Sequence, residues 1–147
     1  MIKANIILDK KIWTQEIKKP EIYFKKKLKK LSSYKNFKNK DHEFSVLLTD
    51  NKKMRDLNFK FRNKNKSTDI LSFPLKMKSK KNYLGDIAIC FEIIKKRSKL
   101  SCFDHELDKM WIHGYLHLLG YDHKKSKDYQ LMIKREDFIF KKLNKIN

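Results

Sequence analysis

Residues 104–123 read DHELDKMWIHGYLHLLGYDH. Leu107, Trp111, Ile112, Leu116 and Leu119 recur at three- and four-residue spacing, so the stretch predicts a helix over 104–119 with one apolar face. His113 and His117 are four apart, which sends both imidazoles off the same side of that helix. Gly120 follows three residues later, where a helix end commonly takes a left-handed residue that glycine adopts at little cost. The reversal can return His123 to the side of the other two. Three neutral imidazoles at about 2.0–2.1 Å, with a fourth position left to water, is the arrangement of catalytic zinc. The stretch therefore predicts one zinc per chain, held by His113, His117 and His123. Three of the five histidines fall within these last eleven residues, a concentration that incidental histidines of a packed helix do not explain.

Two neighbours of the cluster have open roles. His105 stands eight residues before His113 on about the same face, as a support for the site or, preferably, as a packing residue. Asp122, just before the third histidine, either orients a ligand imidazole or caps the next helix. The spacing H-x-x-x-H-x-x-G-x-x-H is that of the metzincin proteases, so the helix is zincin-like. Those proteases carry Glu directly after the first histidine as general base. Gly114 stands there instead. This counts against a peptidase of that type: the base comes from elsewhere, or the metal hydroxide suffices.

Outward from this helix, Ile2–Leu8 and Glu43–Asp50 read as strands, the second apolar at nearly every position and so expected to be buried on both faces. Between them a helix is expected to start near Pro20–Glu21, with Ile22, Phe24, Leu28 and Leu31 inward. Asp50 or Asn51 can cap a helix whose Met54, Leu57 and Phe61 share a face. Arg62–Lys66 reads as a basic loop, Asp69–Pro74 as a short edge strand and Leu84–Phe91 as another strand. Helical spacing resumes over 92–100 and again over 126–143, where Tyr129, Met132, Ile133, Phe138, Ile139 and Leu143 form the apolar set. The expectation is one α+β domain over residues 1–147: a small mixed β-sheet packed with helices.

The 147 residues carry 37 Lys and Arg against 17 Asp and Glu, a net charge of +20, and only Arg55, Arg62, Arg97 and Arg135 are arginines. Nucleotide bias and polyanion binding both produce such a lysine excess. Charge is uneven: residues 1–40 hold 13 basic and 3 acidic side chains, whereas 101–147 hold 9 and 7. No apolar run approaches 18 residues, so no membrane span is expected. Two cysteines build no disulfide framework and suit a reducing cytosol.

The segment HGYLHLLGYDH (113–123) resembles the signature of the YbeY endoribonucleases, bacterial ribosomal-RNA maturation factors. Leu57-Asn58, Arg62 and Ser67–Pro74 (STDILSFP) are similar to a second block of that family, and Leu84–Ile87 (LGDI) to a third. The resemblance covers roughly residues 43–123. It implies a cytoplasmic, single-strand-preferring zinc endoribonuclease that matures the small-subunit ribosomal RNA 3′ end and serves ribosome quality control. Its partners would be the ribosomal RNA precursor and the ribosome, and it would act as a monomer. It also implies that His113, His117 and His123 are the ligands and that Arg62 binds the phosphate. Arginine suits that task because its planar fork holds two oxygens. Asp86 is then a support for the site or a structural residue, and Lys78, Lys80 and Lys81 are candidates for gripping RNA. Thr68 and Ser72 read as structural, and Cys90 as core. A metal hydrolase of another substrate class and a non-enzymatic, zinc-containing assembly factor are the alternatives. The open fourth position counts against the second, because structural zinc sites close with four protein ligands.

Overall fold

A computed structural model describes residues 1–75 and 82–145; Lys78, Lys80 and Lys81 lie outside the described residues. Four segments pair as one sheet: β1 (Ile2–Leu8), β2 (His42–Thr49), β3 (Ile70–Pro74) and β4 (Tyr83–Cys90), in the order β1-β2-β4-β3. β1, β2 and β4 run parallel, and β3 is antiparallel to β4. Pro74 has no amide to donate, consistent with its place at the end of the edge strand.

The helices are α1 (Pro20–Ser33), α2 (Asn51–Arg62), α3 (Phe91–Arg97), α4 (Phe103–Leu118) and α5 (Ser126–Asn144). The alternation of strand side chains sorts them into two layers. Phe44, Val46, Leu48, Ile87 and Ile89 bury one sheet face within the core built with α1, α4 and α5. Ala88 and Cys90 point the other way, into a smaller cluster with Met54 of α2 and Leu71. Burying each large apolar side chain contributes roughly 1.5–3 kcal/mol.

Several expectations change once packing is present. Residues 11–15 form a single 3₁₀ turn, and α1 begins at Pro20. Trp13 in that turn is fully buried and donates its indole N–H to the Thr49 carbonyl at 3.0 Å. Ile22 is exposed, because the inward stripe of α1 is Pro20, Phe24, Leu28 and Leu31 at four- and three-residue steps. β2 is buried on one face and mostly half-buried on the other, where Leu47 packs in the smaller cluster with Met54 and Leu57 of α2 and Ile93 of α3. Phe61 is exposed, with its ring 5.1 Å from that of Phe73, and the buried partner of Met54 on α2 is Asn58. Tyr129 and Ile133 are likewise exposed, leaving Met132, Ile139 and Leu143 as the buried set of α5. β2 begins one residue before the expected Glu43, at His42, which is buried with its Nε2 2.7 Å from the Tyr115 hydroxyl.

Asp50 is the N-cap of α2, its carboxylate accepting the Lys53 amide at 3.0 Å. At the other end, Arg62 is the last helical residue rather than part of a loop, and Asn63 takes the left-handed conformation at φ 55°. The buried Asn58 amide donates to the Lys66 carbonyl at 2.8 Å and ties the following loop to the helix. None of the described helices is long and apolar enough to cross a membrane.

Candidate metal centre and its groove

α4 delivers the first two histidines and stops at a glycine turn. Gly120 has φ +99°, its amide donates to the His117 carbonyl, and the Tyr121 amide donates to the Leu116 carbonyl, each at 3.0 Å. This Schellman pattern satisfies the last carbonyls of the helix. A Cβ at Gly120 would meet nothing within 4 Å, so its backbone angle alone selects glycine there. The Asp122 carboxylate then accepts the His123 amide at 2.7 Å. Asp122 thus fixes the backbone of the third histidine and forms no hydrogen bond to an imidazole among the described residues, and the cap position of α5 is Lys125. That amide bond, more than any other contact, holds the Asp122 carboxyl below its ordinary value.

The three imidazoles converge. His117 Nε2 lies 3.1 Å from His113 Nε2 and 3.2 Å from His123 Nδ1. Ligands at about 2.0–2.1 Å in a tetrahedral shell stand roughly 3.3 Å apart, so these spacings suit one small cation. The three rings offer one nitrogen each within 4.8 Å of one another. Burial, followed by the facing His113 and His123, pushes the His117 imidazole below its usual value and favours the neutral form that coordinates. The donor set fits zinc. On the far edge of the first ring, His113 Nδ1 lies 2.5 Å from Glu136 Oε1 of α5.

A groove of about 840 Å³ opens over the cluster, lined by Arg62, Lys64, Thr68, Asp69, Ser72 and the three histidines among others. Arg62 enters none of the ion pairs formed among the described residues. Asp69, by contrast, is engaged by Arg97 at 3.0 Å and by the Ile70 amide at 2.8 Å. The groove is therefore lined by both the imidazoles and a guanidinium that pairs with no carboxylate among the described residues.

Gly114 gives the missing protease glutamate a physical reason. A Cβ there would lie 2.7 Å from Ile70 Cδ1 and 3.0 Å from Ile87 Cδ1. Position 114 points toward the sheet, so any side chain there would have to push aside the Ile70 and Ile87 side chains of β3 and β4. His105 is not behind the cluster: its ring packs edge-on against Phe140, 5.4 Å between centroids. Asp86 sits on the sheet face opposite α4 and accepts the Tyr83 hydroxyl. Neither side chain hydrogen-bonds to an imidazole of the cluster among the described residues. Thr68 and Ser72, expected to be structural, line the groove. Glu136 escaped notice in the sequence, although a carboxylate between Met132 and Ile139 in the buried stripe of α5 was a readable signal.

Residues 7–144 match the family profile described as endoribonuclease YbeY. The chain is 43% identical over 146 residues to the endoribonuclease YbeY of Pelagibacter ubique, covering 96% of this chain and 95% of that protein. It is 39% identical to the endoribonuclease YbeY of Buchnera aphidicola from Acyrthosiphon pisum, over 84% and 81% of the two chains. A Thermotoga maritima protein of known solution structure superposes with TM-score 0.66 at 27% identity, over 97% of this chain and 89% of that one.

Proposed function

The chain belongs to the YbeY endoribonuclease family, and on that premise we propose that it is a zinc-dependent endoribonuclease of one domain, acting as a cytoplasmic monomer on single-stranded ribosomal RNA precursor. Maturation of the small-subunit 3′ end and ribosome quality control are the processes it serves. The observation that carries this reading is the convergence of three imidazole nitrogens in a groove that is also lined by Arg62, which pairs with no carboxylate among the described residues.

His113, His117 and His123 would hold the metal. When bound, zinc supplies a Lewis acid for a phosphoryl oxygen and lowers the pKa of a water toward about 7. The protein's own residues do the rest. Arg62 holds two non-bridging phosphate oxygens in its fork and stabilises the charge that develops on them during cleavage. Thr68 and Ser72 offer hydroxyls along the same wall. Asp69 is held by Arg97, which limits its repulsion of the phosphate. Lys64 and Lys124 extend the positive edge, and Lys78, Lys80 and Lys81 are assigned to contacts with the RNA backbone.

The test is cleavage of matched single-stranded and duplex RNA by purified, metal-quantified protein, with and without chelator. Single strands are cut, duplex is spared, and chelation stops the reaction. Undiminished cleavage after complete metal removal overturns the metal-dependent reading. A parallel measurement concerns the lysines, since each phosphate contact on single strands contributes about −0.7 to the log–log salt slope. Neutralising Lys78, Lys80 and Lys81 together flattens that slope by roughly two; a parental slope assigns them to composition alone.

A further inference from the structure

α5 lies outside the histidine signature, yet one of its side chains reaches the metal centre. Glu136 follows the buried Met132 by four residues and precedes the buried Ile139 by three, so it sits within the stripe that packs on the core. A carboxylate in such a place needs a partner. Its partner is His113 Nδ1 at 2.5 Å, with both side chains 30% exposed, and among the described residues it has no other side-chain hydrogen bond. The opposite nitrogen of the same ring, Nε2, faces His117 Nε2 at 3.1 Å. One imidazole therefore joins α5 on one edge to the cluster on the other.

The ring needs that anchor for two reasons. The outer torsion of histidine is broad and roughly two-fold, so packing alone sets its plane poorly. A neutral imidazole also carries its proton on either nitrogen, and only one choice leaves a lone pair toward the cluster. We propose that Glu136 is a positioning residue for metal binding: by accepting a hydrogen bond from His113 Nδ1–H, it holds the ring plane and the tautomer whose Nε2 lone pair points at His117 and His123. The inference rests on reading the three histidines as ligands. The carboxylate stands behind the ring, so it is not the general base, and its effect passes through His113 alone. The metal site consequently extends beyond residues 113–123 to the α4–α5 joint.

The test uses the metal-free full chain titrated with zinc against a chromophoric chelator. Glu136→Ala weakens zinc binding about 10–100-fold. Glu136→Gln, which keeps an oxygen acceptor but no charge, falls between it and the parent, and urea unfolding of both metal-free variants matches the parent. Nitrogen-resolved NMR of the metal-free parent shows His113 protonated at Nδ1, and Glu136→Ala shows mixed tautomers. Should the alanine variant fail to fold, the glutamine variant carries the same comparison. Zinc affinity within twofold of the parent in both folded variants removes Glu136 while leaving the ligand assignment intact. A parent chain that takes up no zinc removes the ligand assignment and this inference with it.

Discussion

α4 carries two polar clusters five residues apart, and they have opposite characters. Asp108 is fully buried and accepts from the Tyr23 hydroxyl at 2.6 Å, Lys27 Nζ at 2.7 Å, the Trp111 indole at 2.9 Å and the Asn144 amide at 3.0 Å. These donors come from α1, α4 and α5, so the carboxylate ties three helices together. Burial, with Asp108 second, drives the Tyr23 hydroxyl far above its usual value, and it remains a donor at any ordinary pH. At His113 the arrangement is reversed. Three ring nitrogens face only one another among the described side chains, and they open on a groove. A polar cluster whose valences are filled by protein is a structural device; one left unfilled is a place for a ligand.

The largest expected effect breaks the filled cluster. Asp108→Ala takes from Lys27 its carboxylate partner and leaves the buried Trp111 indole without an acceptor among the described residues, and it costs about 3–5 kcal/mol of stability by urea unfolding. A loss below 1 kcal/mol would show that the network is incidental. Next comes Arg62→Lys, which keeps the charge but loses the fork: cleavage slows by about 2–4 kcal/mol of activation free energy. Zinc content and unfolding stay parental, and a parental rate would make Arg62 one more surface cation.

His117→Ala is the counterpart of Asp108→Ala at the unfilled cluster. It abolishes zinc uptake by elemental analysis, yet changes the stability of the metal-free chain by no more than about 1 kcal/mol. Large destabilisation without metal would erase the contrast between the two ends of α4.

The smallest effect concerns a histidine that belongs to the filled class. Burial first, then Lys40 and the N-terminal amine, with Asp41 opposing, hold the His42 imidazole below its usual 6.5. Because the folded value is the lower one, the unfolded chain binds the extra proton. Stability is complete above pH 6.5 and declines as pH falls below it. Comparing unfolding at pH 7.5 and 5.5, His42→Gln loses less on acidification than the parent does. Equal losses would remove His42 as a contributor.

Residues 113–123 were legible because their chemistry is local. Helical periodicity, a four-residue histidine pair and a glycine at the turn are consequences of chain geometry over eleven residues, and they bring the three imidazoles to one side of the chain. The strands and most helix boundaries followed from the same short-range patterns. Which apolar residues turn inward did not: Ile22, Phe61, Tyr129 and Ile133 fit helical spacing yet remain exposed, because each helix is covered on a narrower stripe than its sequence offers. Nor did spacing along the chain separate His105 and Asp86 from the centre, or bring Glu136 to it across 23 residues. The docking of α5 on α4 and the burial of Gly114 against β3 and β4 decided those, since partnership between distant side chains depends on helix crossing and sheet register, which only the packed core sets.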